Sequence, residues 1–222
     1  MIIVVGGIKG GSGKTTVATN LAVLQSGKSK DVLLIDADDQ ETATDFTILR
    51  NEQLPKGAGY TSIKLSGSAV RTEVLRLSDK FKDIIIDTGG RDTTSQRAAL
   101  SVADILLIPF VPRSFDVWTL EKVSALVAEM KTINPNLKAC AFINRADPRG
   151  QDNDEAGEVI KENEEITFIN TPLGARKAFS NAASAGLGVT EVKPPDTKAA
   201  DQMKVLYKYV FNTKMKSVKQ GE

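Results

Sequence analysis

The sequence predicts an α/β fold: a single doubly wound domain on a mostly parallel sheet. Three observations predict it. Short continuous apolar runs at residues 2–5, 32–35, 84–86 and 105–108 read as strands buried on both faces. Segments with apolar residues at helical spacing lie between them, as parallel crossovers require. The first run leads into a glycine-rich turn, and the next two end on aspartates. In an open α/β sheet that C-terminal edge is where ligands bind.

The elements follow in order. The run Ile2–Val5 is the first strand, and an amphipathic pattern at 17–24 marks a helix that starts near Lys14. Residues 32–35 form a strand ending at Asp36, and 41–49 a short helix with Thr42 as a cap. A turn-rich loop, 55–60, precedes a weak strand at 61–65. Val70, Val74, Leu77 and Phe81 set a helix over 69–81. Three isoleucines make the strand ending at Asp87, and the loop Thr88-Gly89-Gly90-Arg91-Asp92 follows. A helix at 94–102 leads to the strand 105–108, closed by Pro109. A long amphipathic helix, 117–133, stops at Asn134-Pro135. The strand 137–143 ends at Asn144-Arg145. A polar helix (155–163), a short strand (166–169) and helices at 177–185 and 197–211 complete the pattern. No repeat, linker or low-complexity segment interrupts it. The acidic cluster at 151–165 reads as a solvated helix surface.

Composition narrows the chemistry. A chain of 222 residues, 41% hydrophobic and 26% charged, can bury a sizeable core. The net charge of +1 does not by itself point to nucleic acid. There is no histidine, so catalysis must rely on carboxylates, lysines, backbone groups and metal. The lone cysteine, Cys140, excludes an internal disulfide and lies in an apolar run, as a small core residue does. No apolar stretch reaches membrane-spanning length, and the N-terminus enters a strand with no targeting segment. A cytoplasmic protein is expected.

The organising stretch is Lys9-Gly10-Gly11-Ser12-Gly13-Lys14-Thr15-Thr16. Strand, glycine-rich turn and helix form the context of a phosphate-binding loop. Glycines let backbone N–H groups approach phosphate oxygens, and the following helix points its positive end at the same anion. Lys14 is placed to reach the β- and γ-phosphates, and Thr15 offers a hydroxyl to a magnesium ion. Asp87, after three isoleucines, can hold magnesium directly or through water. Of Asp36, Asp38 and Asp39, one is a candidate for positioning the attacking water. The loop calls for a nucleotide's phosphates and Mg2+. The loop departs from G-x-x-x-x-G-K-[ST]: its first glycine position holds Ile8, and Lys9 follows.

This K-G-G-x-G-K-[ST] form resembles the deviant Walker A loop of the ParA/MinD family of P-loop ATPases. The resemblance extends through residues 34–40 and 84–87, through Leu107-Ile108-Pro109 with Arg113-Ser114-Phe115-Asp116, and to Arg176, Ala182, Gly186 and Val189. The chain looks like a small ParF-like ParA without the N-terminal helix-turn-helix domain of longer members. The resemblance implies an ATPase domain over 1–213 and a basic tail over 214–222. It implies that Lys9 crosses a dimer interface to the partner's nucleotide, and that Asp36 lies near the magnesium waters. It also implies that Asp38 orients the attacking water and that Asn144 hydrogen-bonds adenine. No Asn-Lys-x-Asp guanine motif follows Asn144, so with this resemblance the expected cofactors are ATP and Mg2+. The implied function is an ATP-dependent homodimer that binds DNA non-specifically, associates with the nucleoid and positions plasmid, chromosomal or other cargo. A ParB-like adaptor would stimulate its ATPase. Lys204, Lys208, Lys214, Lys216 and Lys219 are the DNA-binding candidates. The alternative is a MinD-like membrane-cycling ATPase, which would need an amphipathic C-terminal helix. Residues 212–222 are too polar to insert, so no membrane partner is expected. A metabolic relative bridging a metal cluster would need interface cysteines that this chain lacks. The Gly90-Arg91-Asp92 segment departs from the family pattern and leaves Arg91 without an assigned role.

Overall fold

The computed structural model describes residues 1–29, 31–112, 117–147 and 151–212. Its strands are β1 (Ile2–Val5), β2 (Val32–Ala37), β3 (Thr61–Lys64), β4 (Asp83–Thr88), β5 (Ile105–Phe110), β6 (Lys138–Ala146), β7 (Ile166–Phe168) and β8 (Leu173–Gly174). Its helices are α1 (Lys14–Ser26), α2 (Thr42–Gln53), α3 (Ala69–Leu77), α4 (Thr94–Leu100), α5 (Val117–Ile133), α6 (Asp152–Lys161), α7 (Lys177–Ala183) and α8 (Thr197–Asn212).

The strands form one sheet in the order β3-β2-β4-β1-β5-β6-β7, with β8 paired to the far end of β6. Every registered pair is parallel. Alternate strand residues feed two cores. Val4, Leu33, Ile35, Ile84, Ile86, Leu106 and Ile108 pack against α3, α4, α5 and α6. Ile3, Val5, Leu34, Ile85, Leu107 and Phe142 pack against α1, α2, α7 and α8. This two-sided burial explains why the strands read as unbroken apolar runs. Each buried Leu or Ile contributes roughly 1.5–3 kcal/mol.

Several boundaries differ from the sequence expectations. Thr42 does not cap α2. It is the first helical residue, and Glu41 precedes it in the left-handed region at φ 55°. The third helix ends at Leu77, and Phe81 reaches the same core from the turn beyond it. Pro109 does not close β5, which runs on to Phe110. Leu107 faces β1, since its carbonyl accepts the Gly6 N–H. Pro109, two residues on, faces the same side, where β1 has already ended. Its missing donor therefore breaks no ladder bond. The strand β6 continues through Asn144 and Arg145, because β8, not expected from the sequence, pairs with its end at Asn144↔Leu173. Segment 113–116, cited for the family resemblance, lies outside the described residues.

Candidate functional site

Nucleotide-site geometry begins at the turn between β1 and α1. Gly11 and Gly13 adopt φ 72° and 89°, values that a side chain would strain. Gly13 caps α1 without a side chain, and the first helical turn carries no acidic residue. The free N–H groups and positive helix end are therefore left to an anion. Lys14 is buried, with its ammonium donating to the Lys9 carbonyl at 2.9 Å. Burial lowers its pKa, while the charges of Asp87 and Asp38 act in the opposite direction.

Asp36 and Asp87 stand side by side, paired in register on β2 and β4. Both are fully buried, yet their surroundings differ. One Asp36 oxygen accepts from the Thr44 N–H and hydroxyl, each at 2.8 Å, and the other from the Asp38 N–H at 3.2 Å. Neither Asp87 oxygen has a hydrogen-bond partner. Burial pushes the Asp87 carboxyl up to about 7, and the neighbouring Asp36 adds to the effect. Lys14 and the nearby Thr15 hydroxyl pull it back, although Thr15 does not complete a bond of normal geometry. An orphaned buried carboxylate beside another acid is what a bound cation would relieve. The donor set suits magnesium held by few protein oxygens and completed by phosphate and water. Among the described residues no three acidic or cysteine side chains converge into a protein-only metal cage.

Two glycines bring the loop after β4 onto this site. A Cβ on Gly90 would lie 2.6 Å from the Gly10 backbone, and one on Gly89 would lie 3.1 Å from the Asp38 carboxylate. The Gly90 approach, against backbone, admits only glycine. The cavity so enclosed is about 670 Å³, with Lys14, Thr15, Asp38 and Arg91 among its walls. Asn144 is buried, and its amide donates to the Ser12 carbonyl at 2.7 Å. A second cavity of about 310 Å³ opens beside it, lined by Leu173, Phe179 and Met203. Arg145 follows at φ 54°, a left-handed conformation that costs a non-glycine residue about 1–3 kcal/mol.

Residues 3–189 match the family described as the CobQ/CobB/MinD/ParA nucleotide binding domain. The chain belongs to this family. It is 24% identical over 203 residues to maintenance of carboxysome distribution protein A of Halothiobacillus neapolitanus, covering 90% of this chain and 92% of that protein. It is 27% identical over 184 residues to protein ParA of Rhizobium radiobacter, covering 81% and 80%. Its fold is similar to that of a Cyanothece McdA–ATP complex, with a TM-score of 0.76, 20% identity and coverage of 95% and 96%.

Lys204 and Lys208 share the exposed side of α8, but Lys204 lies 3.6 Å from Asp201, which offsets part of its charge. Lys214, Lys216 and Lys219 lie outside the described residues. No helix among the described residues is long and apolar enough to cross a membrane.

Some supporting residues escaped the sequence reading. Buried Gln96 accepts from the Gly7 N–H at 3.2 Å and the Thr88 hydroxyl at 3.1 Å, tying the start of the phosphate loop to the end of β4. Asn20 accepts from the Val189 N–H at 2.7 Å and donates to the Thr16 carbonyl at 2.7 Å. A polar residue among the apolar positions 17, 18 and 21–24 of α1 was the available signal for Asn20.

Proposed function

We propose that this protein is a magnesium-dependent positioning ATPase whose ATP-bound form is a face-to-face dimer that binds DNA without sequence preference. The observation that carries the reading is the orphaned Asp87 carboxylate under the phosphate loop, beside Lys14 and Thr15. Gly10, Gly11, Ser12, Gly13, Thr15 and Thr16 cradle the phosphates with backbone N–H groups, and Lys14 faces the β- and γ-phosphates. Thr15 and Asp87 hold magnesium, with Asp36 acting through its water shell. Magnesium bound there neutralises charge on the phosphate oxygens. Asp38 orients the attacking water. Asn144 donates one of its two amide hydrogens to the Ser12 carbonyl, which fixes the side chain, and its carbonyl oxygen accepts the adenine amino group. Lys9 reaches the partner's nucleotide.

The cargo adaptor is a second protein that stimulates hydrolysis. A relative named for carboxysome distribution supports a protein-compartment cargo, and a similar structure described as a putative plasmid partition protein supports a plasmid. DNA is held through Lys204, Lys208 and the basic tail with Lys214, Lys216 and Lys219. Affinity then rests on phosphate contacts and falls steeply with salt.

The test is binding of two unrelated duplexes with ATP or ADP at increasing salt, by native protein and by a variant with Lys214, Lys216 and Lys219 changed to Glu. The expected result is ATP-dependent binding, equal for both duplexes and weakened by the charge reversal. Binding that ignores nucleotide and charge, together with recruitment to anionic vesicles, would favour a MinD-like cycle instead.

A further inference from the structure

We propose that Arg145 contacts the bound nucleotide where its phosphate chain meets its sugar. The proposal rests on the nucleotide reading above and adds to it a residue that the phosphate-loop pattern does not assign. Arg145 is exposed between two buried neighbours, Asn144 and Ala146. The strand is irregular at this point: its register with β8 shifts between those neighbours, and Arg145 takes the left-handed backbone. Such strain persists where the surroundings over-determine it, and it clusters at ligand sites.

The place that the distortion gives Arg145 is specific. Arg145 lines the phosphate cavity of about 670 Å³ and also the adjoining cavity of about 310 Å³ beside Asn144. Gly13 and Thr16, on the phosphate loop and the first turn of α1, border the same two spaces. Arg145 therefore stands at the doorway between them. A nucleotide with its phosphates on the loop and its base beside Asn144 passes its α-phosphate and ribose through that doorway. The Arg145 side chain makes no hydrogen bond or ion pair among the described residues, so its planar fork of donors is uncommitted. A guanidinium fork matches two phosphate oxygens, or one phosphate oxygen and a sugar hydroxyl, better than an ammonium does.

The backbone strain supplies a control. Arg145→Gly removes the guanidinium and also relieves the left-handed conformation, so stability and affinity should separate. Native protein, Arg145→Gly and Arg145→Lys would be titrated calorimetrically with Mg-ATP and Mg-ADP, and melted without nucleotide. Arg145→Gly should keep its Tm or raise it by about 2–4 °C. It should lose roughly ten-fold or more in affinity for both nucleotides by the same factor, because the α-phosphate and ribose are common to them. Arg145→Lys should recover only part of the loss. Native affinity in Arg145→Gly would reduce Arg145 to a strained turn residue. A loss for ATP alone would move the contact to the γ-phosphate and overturn the placement. Native protein that binds neither nucleotide would refute the underlying reading, and this proposal with it.

Discussion

The Lys14 ammonium donates to the Lys9 carbonyl at 2.9 Å, so the two lysines of the phosphate loop are joined through backbone. Lys14 is buried and turned inward, while Lys9 sits on the outer part of the loop. The two should therefore fail differently. Lys14→Ala should weaken nucleotide binding by about 100-fold or more, the equivalent of roughly 3 kcal/mol for a lost charged contact. Lys9→Ala should leave monomer binding largely intact and lose ATP-induced dimerisation, stimulated hydrolysis and DNA binding together. Calorimetry reads the first; light scattering with ATP on an Asp38→Ala background reads the second. A dimer that forms equally well without Lys9 would make that lysine a loop charge.

Asp38 lies against Gly89 of the loop after β4 and lines the phosphate cavity opposite Lys14. Asp38→Ala should keep ATP affinity within a few-fold and abolish turnover, measured as released phosphate. Normal turnover would transfer the water-positioning role to Asp36 or Asp39.

The raised pKa of Asp87 makes a prediction about pH. Its folded value, about 7, lies above the unfolded value of 3.8. Below about pH 4 both states carry the proton and the group has no effect. Between about pH 4 and 7 only the unfolded state releases it, so stability without magnesium or nucleotide falls as pH rises. Above pH 7 the penalty is complete, on the order of 4 kcal/mol at most. Asp87→Asn should therefore be the more stable protein at pH 8, with the gap closing towards pH 4. Urea melts across that range check it, and equal stability of the two at pH 8 would contradict it.

Arg50 and Glu191 join α2 to the loop after α7. The buried guanidinium donates to both Glu191 oxygens at 2.7 and 2.9 Å, and to the carbonyls of Ala58 and Gly186. Burial raises the Glu191 carboxyl, but Arg50 and the Gly188 N–H outweigh it and hold the net value low. A depressed carboxylate stabilises above its unfolded pKa and loses that contribution as pH falls through the folded value. Glu191→Gln should destabilise by about 2 kcal/mol at pH 7, less than a fully buried pair because Glu191 is partly exposed, and by much less near pH 3. Denaturant midpoints at the two pH values measure the difference.

Cys140 is 2% exposed, and burial pushes its thiol up to about 11, with Lys138 acting weakly the other way. Native protein should resist a thiol reagent such as DTNB at pH 8 and react only on unfolding. Cys140→Ala should cost about 1 kcal/mol and leave turnover nearly intact. Rapid labelling of folded protein would contradict this placement.

The sequence made the central strands legible because β1, β2, β4 and β5 are buried on both faces and carry unbroken apolar runs. The phosphate loop was legible because its glycines, lysine and threonine are fixed by local backbone needs. What remained hidden depends on contacts distant in sequence. Pro109 reads as a strand end until the short reach of β1 beside it is known. Arg145 reads as a loop residue until β8, only two residues long, pairs with the end of β6. Gln96 has no signature, because its partners Gly7 and Thr88 come from two other segments. Asp36 and Asp87 look alike in sequence, and it takes the Asp38 N–H and Thr44, eight residues beyond Asp36, to distinguish their surroundings.

The central position of β1 has a consequence for how the chain is made. Ile3 pairs with Ile85 on one side and Ile105 on the other. A ribosome adding about 5–20 residues per second needs on the order of 10 s to supply both neighbours. Until β4 is made the apolar β1 segment has neither neighbour, and until β5 follows one edge of β1 stays open. Nascent chains halted before about residue 110 should expose β1 to chaperones and proteases, and protection of the nucleotide loop should arise only once β5 has left the exit tunnel.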